Sequence, residues 1–98
     1  MRHSGKTFRK VLMALASASE GQHLIYISDT PAHLEHARII AERCITNNAH
    51  ARVTDNKIHF IDHNAGCLEF LTESQHCHRE LEGSYRGMAQ PHFVFDLN

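Results

Sequence analysis

Two short stretches at opposite ends of the chain carry residue types suited to phosphate chemistry. Near the start, a Gly-Lys-Thr triplet matches the end of the pattern G-x-x-x-x-G-K-[ST], in which backbone N–H groups cradle phosphates, the lysine reaches their oxygens and the hydroxyl holds Mg²⁺. Near the end, an apolar strand over 93–95 delivers a carboxylate to the sheet edge at which α/β folds bind ligands. The candidate phosphate-site residues are Ser4, Gly5, Lys6, Thr7 and Asp96, with Thr7 and Asp96 as the Mg²⁺ ligands.

Each of these signals also has a purely structural interpretation. Lys6 and Thr7 could begin a helix, with Thr7 near its cap and Lys6 in solvent. Asp96 could be an exposed carboxylate at the end of a strand. Neither signal is specific alone, and together, in this order and in an α/β frame, they are moderately specific for a phosphate site, so both interpretations stay open.

Histidine and cysteine side chains offer a second kind of site, because imidazole and thiolate are the usual ligands of zinc. The paired Cys-x₂-Cys spacing is absent, and three adjacent ligands cannot all point to one centre from regular structure, so zinc is not expected. His33 and His36 lie three residues apart on a predicted helix and could bind a metal together or lie in solvent. The five candidate zinc ligands are His63, Cys67, His76, Cys77 and His78.

Hydrophobic periodicity and turn residues predict the elements that position these side chains. The expected order is α-β-α-β-β-β-α-β, a single small α/β domain over 1–98 with a mainly parallel sheet, flanking helices and one β-hairpin. The predicted elements are a helix over 6–20, a strand over 24–27, a helix from Pro31 to about 45, a hairpin of 52–54 and 57–61, a strand over 68–71, a short helix over 73–82 and a strand over 93–96.

Helical spacing also predicts which side chains are buried. In the first helix the expected apolar stripe is Phe8, Val11, Leu12 and Leu15. In the second helix it is Leu34, Ala37, Ala41, Cys44 and Ile45, which makes Cys44 a buried thiol.

Composition excludes several classes of protein. Ten basic residues nearly balance eleven acidic ones in 98 residues, so no strong electrostatic footprint for nucleic acid or an anionic membrane is present. An apolar content of 42% is too high for a disordered chain, and no apolar run is long enough to span a membrane. We therefore expect a cytoplasmic protein with reduced cysteines. The faint case for nucleic-acid binding rests on an N-terminal basic cluster of Arg2, His3, Lys6, Arg9 and Lys10.

The order of these features resembles the N-terminal half of a RecA-like P-loop ATPase domain, most like that of phage terminase large subunits and related helicase-like ATPases. The resemblance runs along nearly the whole chain, from residues 4–7 at the end of the Walker A loop to 91–96 at the Walker B strand. Between them, 24–30 resembles the second strand, Pro31 begins the second helix, and 57–72 resembles the strand pair that follows. The resemblance implies that Lys6 and Thr7 bind phosphate and Mg²⁺, that Asp96 is the Walker B acid, and that Arg86 senses a phosphate.

Departures from the family pattern define the expected function. Leu97 follows Asp96 where the family places a water-activating glutamate, and the first glycine and strand of the loop would precede Met1. Efficient hydrolysis is therefore not expected. Two functions remain open: a phage-encoded, non-catalytic binding protein that contacts another protein, such as a host nuclease, helicase or defence complex, or a degenerate terminase-like module that binds ATP and Mg²⁺. Exposed sheet edges would favour self-association or a protein partner.

Overall fold

The computed structural model describes residues 4–45, 51–54, 56–61, 66–85 and 91–97, and its elements follow the order expected from the sequence. The chain is an α/β protein with a five-stranded sheet flanked by three helices. The elements are α1 (Ser4–Ser19), β1 (His23–Ser28), α2 (Pro31–Cys44), β2 (Ala51–Val53), β3 (Lys57–Phe60), β4 (Cys67–Thr72), α3 (Glu73–Glu82) and β5 (His92–Asp96).

The sheet has the order β2-β3-β4-β1-β5 and is mixed. Strand β1 runs parallel to both β4 and β5, whereas β2–β3 and β3–β4 are antiparallel pairs. The expected hairpin is present as β2–β3, but the expected mainly parallel sheet is only partly correct. The reason lies between Phe60 and Cys67, because so short a connection cannot carry the crossover that a parallel pair needs.

Helices α1 and α2 cover one face of the sheet and build the larger core there. Within α1 the burial differs from the expected stripe, since Phe8 and Leu12 are 46% and 41% exposed. Small side chains such as Ala14 and Ala18 face the sheet instead, which lets the helix backbone approach it closely. The buried residues of this helix are Thr7, Val11, Ala14, Leu15 and Ala18.

The start of helix α2 follows the sequence prediction, and its end does not. Thr30 is the N-cap, and its side chain accepts a hydrogen bond from the His33 backbone N–H, with Pro31 at the first turn. At the other end, Ile45 is buried but Cys44 is exposed, so the expected buried thiol is wrong. Ala37, Ala41 and Ile45 follow one another at four-residue spacing on the buried face, and Cys44 lies outside that row.

Helix α3 covers the opposite face, where Ile25, Ile27 and Leu71 form a smaller cluster. A capping box between Thr72 and Gln75 fixes its start. Gly83 ends it in the left-handed conformation, with φ of 70°, which favours glycine. In the described part of the chain, no helix has the length and apolarity needed to cross a membrane.

Candidate functional site

The two predicted Mg²⁺ ligands meet at the carboxyl edge of the parallel strands. Asp96 ends β5, and Thr7 lies in the second turn of α1, 89 residues away in sequence. The Thr7 hydroxyl donates a hydrogen bond of 2.8 Å to Asp96 Oδ2. Both side chains are buried, with Asp96 only 3% exposed, so the alternative of a solvent-exposed strand-end carboxylate is wrong.

Tyr26, a residue that the sequence interpretation missed, holds the same carboxylate oxygen. Its hydroxyl lies 2.6 Å from Asp96 Oδ2 and donates to it. Burial raises the pKa of Tyr26, and the hydrogen bond and negative charge of Asp96 raise it further, so the phenol stays protonated and remains a donor. No polarity pattern marks Tyr26 in advance, because it lies within the continuous apolar run of β1.

The carboxyl group of Asp96 is ionised at neutral pH. Burial alone would raise its pKa, but hydrogen bonds from Tyr26 and Thr7, together with the charges of His33 and Lys10, outweigh burial and lower it. Lys10 Nζ lies 3.7 Å from Asp96 Oδ1 and donates to the Phe95 carbonyl oxygen at 2.6 Å. The site therefore keeps a negative charge inside the edge of the sheet.

His33, in the first turn of α2, joins the site to a second carboxylate. Its Nε2 lies 3.2 Å from Thr7 Oγ1 and 3.2 Å from Asp96 Oδ2, while its Nδ1 lies 3.1 Å from Asp29 Oδ1. The sequence analysis missed this pair, although the i, i+4 spacing of Asp29 and His33 across the start of the helix is a signal that could have identified it. The imidazole thus lies between Asp29, in the turn from β1 to α2, and Asp96 at the end of β5.

Ser28 lies beside Asp96 as its register partner on the adjacent strand. Its side chain is fully buried, and its Oγ has no hydrogen-bond partner among the described residues. Alternation along β1 places it on the same face as Tyr26, opposite to Ile27. An unpaired buried hydroxyl costs about 1–3 kcal/mol, so Ser28 is a polar group suited to a ligand or a bound water.

The remaining residues of the predicted phosphate motif lie at the start of α1. Lys6 and Gly5 are exposed in its first turn, next to the buried Thr7. A Cβ added at Gly5 would meet no atom within 4 Å, so the described structure has no steric need for glycine there. Ser4 is the first residue of the helix. Arg86 lies outside the described residues.

The four candidate zinc ligands that lie in the described residues are not brought together. Cys67 is half-buried at the start of β4, and burial raises the pKa of its thiol, which disfavours the thiolate that zinc binds. His76 is buried and contacts the Tyr85 hydroxyl at 3.0 Å, whereas Cys77 and His78 are exposed on α3. Within the described ranges, no three His, Cys, Asp or Glu side chains form a group that could hold a metal ion. His63 lies outside those ranges.

The other candidate metal pair, His33 and His36 on α2, does not form a shared site, because the two side chains have different surroundings. His33 is directed to Asp29 and Asp96, as described above, whereas His36 is exposed. The side chains with site-like geometry are therefore those at the carboxyl edge, where oxygen ligands, the kind that Mg²⁺ prefers, adjoin a helix N-terminus.

Comparisons of the chain with protein-family models, with curated proteins and with solved structures found no match. Function is therefore inferred from the residues of the site itself.

Proposed function

We propose that this chain binds the phosphates of a Mg²⁺-bound nucleotide at the N-terminus of α1, with little or no hydrolysis. The observation that supports this best is the 2.8 Å hydrogen bond between Thr7 and Asp96. These are the two residues that the P-loop resemblance assigns to Mg²⁺, and they come from opposite ends of the chain.

The surrounding groups suit the same ligand. The first backbone N–H groups of α1 and the exposed Lys6 ammonium favour an anion at this end of the helix. The ionised Asp96 and the Thr7 hydroxyl supply hard oxygen atoms for Mg²⁺, and the unpaired Ser28 hydroxyl offers one more polar group. Hydrolysis is a separate requirement, and Leu97, the residue after Asp96, supplies no base for it.

Calorimetric titration of ADP and ATP with Mg²⁺ tests the proposal, with Lys6→Ala as the discriminating variant. We expect binding in the micromolar range that Lys6→Ala weakens by about tenfold or more, because it removes a charge-assisted hydrogen bond to phosphate. Arg9→Ala is the matched control, since Arg9 is an exposed cation on the same helix. Absence of heat at millimolar nucleotide, or equal affinity in both variants, would refute nucleotide binding.

A second candidate function is protein binding without catalysis, and a specific surface favours it. Phe93 and Phe95 on β5 are 38% and 47% exposed, and their ring centroids lie 6.2 Å apart. Contiguous exposed apolar side chains are typical of protein interfaces. On this account, a host partner such as a nuclease, helicase or defence complex would be retained by Lys6→Ala and lost by Phe95→Lys in affinity capture.

A further inference from the structure

We infer that the free edge of β5 pairs with β5 of a second copy of this chain, antiparallel and with the twofold axis at Val94. This edge ends at Asp96, but strand pairing involves the β5 backbone and the Phe side chains rather than the Asp96 carboxylate. The sequence of the strand itself points to a second copy as the occupant.

Of the two edge strands of the sheet, β5 is better suited than β2 to pair with a further strand. Among the described strands it pairs only with β1, which leaves its outer side free along the five residues from His92 to Asp96. The opposite edge, β2, has only three residues and carries the exposed Arg52. Short, charged edge strands resist strand addition, whereas longer apolar ones promote it.

Apolar side chains flank β5 on both faces. On the α3 side, the rings of Phe93 and Phe95 lie 6.2 Å apart, and Phe93 also contacts His76 and Tyr85 at 5.0 Å and 5.4 Å between ring centroids. On the α1 side, Met13 and Val94 are among the residues that line a groove beside the strand. Pairing at this edge would therefore bury apolar surface on both faces of the sheet.

The centre of β5, Phe-Val-Phe, matches itself when two copies run antiparallel. With Val94 opposite the partner's Val94, Phe93 lies opposite the partner's Phe95. Directly opposed aromatic pairs stabilise antiparallel strands. A slip of one residue would place each Phe opposite a side chain of the other face, so the pattern favours this register.

Lys10 is the side chain that opposes this pairing, because its ammonium already donates to the Phe95 carbonyl oxygen. A carbonyl oxygen has two lone pairs, so it can accept a second hydrogen bond from a neighbouring strand. Five residue pairs make a small interface, and we therefore expect a dimer that dissociates on dilution.

Disulfide trapping under mild oxidation tests both the dimer and its register. The background is Cys44→Ser with Cys77→Ser, which removes the two exposed thiols. Val94→Cys should form a symmetric cross-link, since opposed Cα atoms lie about 4.5–5.5 Å apart, within the disulfide range. Phe93→Cys alone should not, because the two equivalent positions would be about 8 Å apart, whereas a mixture of Phe93→Cys and Phe95→Cys should cross-link.

Light scattering across micromolar concentrations supplies the second readout on the unmodified chain. A monomer–dimer equilibrium that Phe95→Lys abolishes and Lys6→Ala retains is the expected result. A monomer at every concentration with no Val94→Cys cross-link would overturn the proposal and leave the edge to a different protein. A dimer that Phe95→Lys leaves intact would overturn the assignment of the interface to β5.

Discussion

Two buried carboxylates of the same sheet, Glu69 on β4 and Asp96 on β5, differ in the groups that surround them. Each is 3% exposed, and each has a pKa below its usual value. Glu69 faces three cationic or basic side chains among the described residues: Arg79, which hydrogen-bonds it, Lys57 at 4.0 Å and His23 at 3.7 Å. Asp96 instead accepts hydrogen bonds from two uncharged hydroxyl groups, with the Lys10 ammonium at 3.7 Å and the His33 imidazole at 3.2 Å.

The difference separates a structural ion pair from a candidate ligand site. Arg79 on α3 neutralises Glu69 and ties that helix to the sheet, so its charge is already matched by fixed protein groups. At Asp96, the donors Thr7 and Tyr26 carry no charge, and the group lies at the strand end next to the start of α1. A buried acid held mainly by neutral donors retains negative potential that a cation can use.

The largest expected effect comes from breaking the ion pair. Arg79→Met should lower the free energy of unfolding by about 2–3 kcal/mol, because it leaves Glu69 buried with weaker compensation. Urea denaturation measures this loss, and Arg79→Lys should recover part of it. Nucleotide affinity should not change. Loss of nucleotide binding in Arg79→Met would contradict the assignment of Glu69 to a structural ion pair and of Asp96 to a ligand site.

A moderate effect is expected at the other acid. Tyr26→Phe removes a hydrogen bond to a charged oxygen at a fully buried position and should cost about 1.5 kcal/mol. The ring still packs against Phe70, 5.7 Å away between centroids, so the variant should fold. Chemical denaturation measures the change. Stability equal to that of the wild type would show that the hydroxyl does not support Asp96.

Both acids should make the fold acid-sensitive. Their folded-state pKa values lie below those of the unfolded chain, where Asp and Glu titrate at about 4. As the pH falls through this range, the unfolded chain binds more protons than the folded chain does. The free energy of unfolding therefore decreases progressively below about pH 5. Denaturation at a series of pH values tests this. Glu69→Gln and Asp96→Asn should each flatten the profile, and a wild-type profile that is flat under acid would contradict the assignment.

The smallest effect is expected at an exposed ion-pair cluster that serves as the reference. Arg38 on α2 pairs with Glu35 and Glu42, whose side chains are 54% and 36% exposed, so Arg38→Ala should change stability by only about 0.5 kcal/mol. The same denaturation assay applies. A loss as large as that of Arg79→Met would mean that burial is not what distinguishes Glu69.

Local signals predicted the element order well, because each boundary carries its own chemistry. Pro31 and Thr30 mark the start of α2, and Gly83 ends α3. The direction of the strands was harder to predict, since no residue within β3 indicates which strand it pairs with. The outward position of Phe8 was missed for a similar reason: spacing defines a stripe but does not say which of two neighbouring stripes meets the sheet.

The candidate site was only partly predictable. Thr7 and Asp96 were identified because the short sequences around them resemble the Walker A and Walker B patterns, although the two residues lie 89 positions apart. Tyr26 and Ser28 were not, because a hydroxyl at the end of an apolar strand looks like ordinary β-sequence until its neighbours are known. His33 was selected for a different pairing, with His36, and the structure directs it to Asp29 and Asp96 instead.

The most direct test of the central claim is calorimetric titration of Mg²⁺–ADP into Asp96→Asn and Glu69→Gln side by side. Both variants remove one buried negative charge from the sheet while keeping side-chain size, so Glu69→Gln is the control for Asp96→Asn. The account predicts that Asp96→Asn weakens binding about tenfold or more and removes its Mg²⁺ dependence, whereas Glu69→Gln binds like the wild type. Equal affinity in the two variants would contradict the claim that Asp96 belongs to a ligand site.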